Sequence, residues 1–111
     1  MKKFSLTALA RDQLDRAGSE ASGRAATTVV GGHERVLRQT VIALRDGHTL
    51  DESDNSSDEV TYHVLSGRVK LVSGDDSWIG RSGDLLVVPS AVHAVSALED
   101  STLLLTVAKK P

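Results

Sequence analysis

One histidine is set apart by its surroundings. His93 follows Gly83-Asp84-Leu85-Leu86-Val87-Val88-Pro89, in which a turn opens an unbroken apolar strand and a proline closes it. An imidazole held at such a place can ligate a metal, take up a proton or orient a ligand. Alone it anchors a divalent ion poorly, because useful affinity needs three or four converging donors. Upstream, Asp51-Glu52-Ser53-Asp54-Asn55-Ser56-Ser57-Asp58-Glu59 carries five carboxylates in nine residues. Such a run can capture a cation or a basic partner, and most often it is a solvated loop. It lacks the glycine and the Asp-x-Asp-x-Asp-Gly spacing of an EF-hand.

The other chemistry-bearing residues are weaker candidates. His63 falls on the opposite face of its strand from Val60, Tyr62 and Val64, so it points outward if those three point in. His33 follows Gly31-Gly32 and His48 follows Gly47, and both read as loop or strand-edge residues. Gly31-Gly32-His33 lacks the lysine and following helix of a phosphate loop. Tyr62 and Trp78 can line a pocket, and Trp78 can equally cover the sheet or a dimer contact. No Gly-x-Ser-x-Gly elbow accompanies the serines, which argues against nucleophilic hydrolysis. There is no cysteine, so disulfides and thiol chemistry are excluded.

The elements that position these residues form one domain of 111 residues. Net charge is -2, and nothing draws the chain toward nucleic acid or an anionic membrane. Only Phe4, Tyr62 and Trp78 are aromatic, too few for a base-stacking platform. The apolar stretch Phe4 to Ala10 is short, is broken by Ser5 and Thr7, and ends at Arg11-Asp12. It therefore reads as part of the fold rather than as an export signal. No run approaches the ~18 apolar residues of a membrane span. The expected location is the cytoplasm.

Residues 5 to 17 read as a helix with Leu6, Leu9, Ala10, Leu14 and Ala17 on one face. Ser5 is its N-cap and Gly18 ends it. Arg11 with Asp15, and Asp12 with Arg16, fall at helical i,i+4 spacing on the other face. Beyond a polar connector the pattern is β: Thr27–Val30, Val36–Leu44, Val60–Leu65, Val69–Val72, Trp78–Ile79, Leu85–Val88, Val92–Leu98 and Thr102–Val107. Short strands with turns between them predict an all-β sandwich or barrel. Leu85 to Val88 reads as a strand buried on both sides. The division is 1–26 for the helix and connector and 27–111 for the barrel.

From Val36 to Val107 the order of elements and two glycine-framed motifs resemble the cupin superfamily, small single-domain type. In the second motif, Gly83, the five residues after it and Pro89 match; Ala91 stands at a glycine position, His93 comes one residue early, and the asparagine has no counterpart. In the first, Gly47 and Gly67 are the two ends. Counting forward places the paired histidine positions at Ser53 and Asn55 with Glu59 as the acid, and counting back places them at Asp54 and Ser56 with Val60 at the glutamate position. Neither register contains a histidine. The N-terminal helix and strand endings also look like a group of small bacterial cupins. The resemblance implies a double-stranded β-helix (jelly-roll) barrel with a short N-terminal helix, a homodimer, and a ligand pocket at His93, Tyr62, Val64 and Trp78.

Three functions stay open. The first is a non-catalytic or small-ligand-binding cupin without the usual metal set. The second is a metal-dependent enzyme of oxygenase or isomerase type. It would hold one divalent ion through His93 with Asp54, Asn55 or Glu59, an oxygen-rich set suited to a hard ion. The third is a small-molecule sensor or regulatory partner. No substrate is legible.

Overall fold

The computed structural model describes residues 1–54, 58–89 and 91–109, with the side chains of 51–54 left out. Helix α1 (Leu6–Ala17) is followed by nine strands: β1 (Arg24–Val30), β2 (Leu37–Leu44), β3 (Thr49–Asp54), β4 (Asp58–Ser66), β5 (Arg68–Ser73), β6 (Asp76–Arg81), β7 (Leu85–Val88), β8 (Val92–Ala97) and β9 (Ser101–Lys109). They form a five-stranded sheet in the order β1-β2-β9-β4-β7 and a four-stranded sheet in the order β3-β8-β5-β6. Every pairing is antiparallel. This is the double-sheet β-barrel with a short N-terminal helix expected from the sequence.

The core lies between the sheets. Val60, Tyr62 and Val64 of β4 are buried, and the alternate positions are not. Leu103 and Val107 of β9 lie opposite Val64 and Val60 on the same face. The facing sheet supplies Leu71 and Val95, which are paired with each other. Each such aliphatic side chain contributes about 1.5–3 kcal/mol of burial free energy.

The helix covers one end of the five-stranded sheet from outside. Ser5 caps it, its hydroxyl accepting from the Ala8 amide at 3.2 Å. Ala10, Gln13 and Ala17 are buried against β1 and β2. Val41 and Ala43 are therefore buried as completely as Ile42 and Leu44, one pair under the helix and the other in the barrel. Instead of the i,i+4 ion pairs expected on α1, Arg11 lies 3.8 Å from Asp12 and Arg16 donates to Gln13 Oε1.

Two segments differ from the sequence reading. The stretch 51–59 is largely strand: β3 runs through Asp54 and β4 begins at Asp58. Acidic and serine residues have weak β preference, but among the described residues β3 is an edge strand and pairs only with β8. Charge is tolerated at an edge and discourages further pairing. Leu85 to Val88 is not buried on both sides. It too is an edge strand, and Leu85 and Val87 are 60% and 73% exposed.

Among the described residues, no helix is long and apolar enough to cross a membrane.

Candidate functional site

Tyr62 and His93 come from different sheets and meet inside the barrel. The alternation of β4 turns Tyr62 inward, and that of β8 does the same for His93. Both are 4% exposed. The Tyr62 hydroxyl lies 3.0 Å from His93 Nε2, and the rings meet edge-on with centroids 5.7 Å apart. Aliphatic side chains surround them: Leu105 and Leu86 sit beside Tyr62 on the neighbouring strands.

The local turns fix this register. Gly83 adopts φ +92°, a conformation glycine enters without a side-chain penalty. Its amide donates to the Val64 carbonyl at 2.8 Å, and the Val64 amide donates to the Asp84 carbonyl at 2.9 Å. The Asp84 carboxylate accepts from the Arg81 amide at 2.8 Å. The Gly-Asp turn thus ties β7 onto β4 beside Tyr62.

Burial decides the charge state of the pair. Desolvation lifts the Tyr62 phenol to about 12, so it remains a neutral donor. It also lowers the His93 pKa below 6.5, opposed by a backbone contact with Ala91. One tautomer satisfies both neighbours: the phenol donates to Nε2, and Nδ1 keeps its proton and faces Ala91. That last contact is loose. Among the described residues Nδ1 has no acceptor at full hydrogen-bond geometry, although it is shut off from solvent.

The remaining candidates are spread out. Val64 is fully buried one alternation beyond Tyr62. Trp78 is 44% exposed on β6. It lies opposite Leu71 and borders a cavity of about 200 Å³ at the seam between β6 and β7, whose lining includes Leu86 but neither Tyr62 nor His93. Glu59 is exposed and precedes Val60, so the alternation of β4 sends it away from the interior. Asp54 lies opposite Val92 in the β3–β8 ladder, and Ser53 stands opposite His93. The side chain of Asp54 and all of Asn55 lie outside the described residues. Among the described residues, no three histidine, aspartate or glutamate side chains converge as metal donors. His63 is half-buried on the outer face, and His33 is exposed in a loop.

Several known structures share this architecture. A cupin superfamily protein from Desulfitobacterium hafniense superposes with a TM-score of 0.71 at 17% identity, over 78% of each chain. The fold is that of a small cupin. The TT1209 protein from Thermus thermophilus matches over the full length of both chains, with a TM-score of 0.80 and 21% identity. A transcriptional regulator of the HTH_3 family from Vibrio cholerae superposes over 79% of this chain and 52% of its own, with a TM-score of 0.70 and 20% identity. No protein-family model matches the sequence, and no curated protein does. In this cupin barrel the hydroxyl of Tyr62 occupies the His93 nitrogen that faces the interior.

Proposed function

We propose that this chain is a non-catalytic cupin-fold binding protein that takes a small ligand in the barrel without a metal. The Tyr62–His93 hydrogen bond carries the reading. A metal at His93 needs a free nitrogen lone pair, and in the favoured tautomer the Nε2 lone pair accepts from the phenol while Nδ1 bears a proton. Glu59 projects away from the barrel interior, which removes one of the three oxygen donors considered for an ion. The opening left to a ligand is Nδ1, a buried group without a full partner that suits a neutral molecule bearing a carbonyl or ether oxygen. Aliphatic walls favour an apolar body for that molecule.

The test is elemental analysis of untagged protein purified without chelators, followed by titration with manganese, iron, nickel and zinc. The reading expects far less than one equivalent and no uptake by either the native chain or His93→Ala. One equivalent that disappears in His93→Ala overturns it in favour of the metal-dependent enzyme.

A second reading is favoured by one comparison. The same fold forms part of a transcriptional regulator, which supports a sensor whose DNA-binding module resides on another chain. Ligand binding that alters association with such a partner, measured by pull-down with and without ligand, separates sensor from simple binder.

A further inference from the structure

Strand β6 pairs with β5 along one side, and among the described residues its other side is free. The two-residue turn Gly74-Asp75 joins Ser73 to Asp76, and from there hydrogen-bonded and non-hydrogen-bonded pairs alternate. Arg68 with Arg81, Lys70 with Ile79 and Val72 with Ser77 are therefore the non-hydrogen-bonded pairs. The backbone agrees. The Arg68 carbonyl accepts from the Leu98 amide at 2.9 Å, and the Arg81 amide donates to Asp84 Oδ2 at 2.8 Å, each away from the partner strand. The amides and carbonyls of Ser77 and Ile79 consequently point out of the sheet edge. Every β6 residue except Gly80 is exposed, so that edge is accessible.

The same register gathers positive charge. Val69 and Leu71 face the core, so Arg68 and Lys70 face outward together with Arg81. Arg68 and Arg81 stand opposite each other in the type of pair that brings side chains closest, with Cα atoms ~4.5 Å apart. Lys70 lies ~7 Å from Arg68 along β5. Like charges placed in this way destabilise a sheet. Among the described residues none of the three side chains forms an ion pair or hydrogen bond, and Arg68 Nε is buried without a partner. The Asp84 carboxylate is held by the Arg81 amide rather than by a guanidinium. On the opposite face of β6, Trp78 borders the apolar seam with Leu85 and Val87.

We infer that the free edge of β6 receives an extended segment of a partner protein in which acidic and apolar residues alternate. Main-chain pairing with Ser77 and Ile79 satisfies the open amides and carbonyls, as strand addition does generally. Side chains of the added strand fall alternately on the two faces of the sheet. Carboxylates on the outer face meet Arg81 and Lys70 and offset a repulsion that the chain itself leaves uncompensated. Apolar side chains on the other face reach Trp78 and the seam. A small anion answers the cations and leaves the edge open, whereas a peptide answers both. Residues 77–81 extend about 17 Å, room for about five residues of the partner. The inference does not depend on what the barrel interior binds.

Titration of the full chain with a synthetic peptide of about seven residues, alternating glutamate and valine, tests this. Fluorescence of the single tryptophan, Trp78, reports binding, and amide hydrogen exchange of Ile79 by nuclear magnetic resonance reports main-chain pairing. Saturable binding of one peptide per chain with slowed exchange at Ile79 is expected. N-methylation of the peptide amides that face β6, or regrouping of the same residues into one glutamate block and one valine block, should each weaken binding at least about tenfold. Arg81→Ser should weaken it about tenfold, while its thermal midpoint equals the native value or rises, because a like-charge opposition is removed. Should that variant unfold, Lys70→Ser, at an exposed side chain without a partner among the described residues, carries the same expectation. No binding at millimolar peptide overturns the inference. Binding that survives N-methylation or regrouping also overturns it, and displacement by inorganic phosphate then assigns the patch to free anions. Binding unchanged in both Arg81→Ser and Lys70→Ser rejects the acidic partner.

Discussion

The hydroxyl of Tyr62 on β4 meets Nε2 of His93 on β8 at 3.0 Å, joining the two sheets through a polar contact sealed in an aliphatic core. Each group needs the other. A buried phenol or imidazole nitrogen without a partner keeps its full desolvation cost, whereas the pair together forfeits little.

Tyr62→Phe should therefore destabilise the fold by about 1–3 kcal/mol, mostly by stranding Nε2. Adding His93→Leu should recover part of that loss, because the second substitution removes the stranded group. Urea unfolding followed by the single tryptophan, Trp78, measures both. Strictly additive losses in the double variant would show that the contact carries no energy of its own.

The parts of this site differ in how far local sequence reveals them. Alternation placed Val60, Tyr62 and Val64 on one face, and Ser5 announced the helix start, because both signals depend on neighbouring residues alone. Strand β3 was hidden: Thr49 to Asp54 pair with β8, and only that distant partner compensates the weak β preference of Asp51, Glu52, Ser53 and Asp54. The exposure of Leu85 and Val87 was hidden for the converse reason. An apolar run looks the same whether a strand has one neighbour or two, and among the described residues β7 has only β4. His93 and Tyr62 were each visible as candidates, but their contact spans 31 residues and two sheets, so it exists only once the barrel closes.

Titration of the tyrosinate absorbance reads Tyr62 alone, since the chain has one tyrosine. The native midpoint should lie near 12 rather than 10.0. A phenol whose folded pKa is raised contributes stability that is complete below pH 10 and is lost as pH climbs toward 12. By about 1.4 kcal/mol per unit, that loss is of the order of 3 kcal/mol. Tyr62→Phe should flatten the fall. A native midpoint at the free-tyrosine value would contradict the buried, paired phenol.

His93 governs the opposite end of the pH range. Burial holds its folded pKa below 6.5, so the unfolded chain takes up the proton first as pH falls. Stability is thus complete above pH 6.5 and declines as pH drops through that value toward the folded pKa. The other three histidines are common to the native and variant chains, so the difference between the native protein and His93→Gln isolates this residue. Urea midpoints on either side of pH 6.5 should diverge less in His93→Gln than in the native chain. Equal divergence would mean that His93 titrates alike in the folded and unfolded states.

Gly67 and Gly74 offer a matched pair for testing the turns that carry β5. Both have positive φ, +87° and +59°. Alanine at Gly74 meets open space, so only the backbone penalty of about 1–2 kcal/mol applies. At Gly67 a Cβ would collide with the Asp100 carbonyl oxygen and Ser101 Oγ and would lie 2.8 Å from Ser101 Cα. Ser101 cannot yield easily, because its hydroxyl accepts from the Arg68 amide and donates to the Glu99 carbonyl while fully buried. Gly67→Ala should consequently lose about 3 kcal/mol or more, against the smaller loss for Gly74→Ala. Thermal unfolding of the two variants measures the gap. Similar midpoints would indicate that the β4–β5 turn can shift away from Asp100 and Ser101 without loosening Tyr62 on the strand before it.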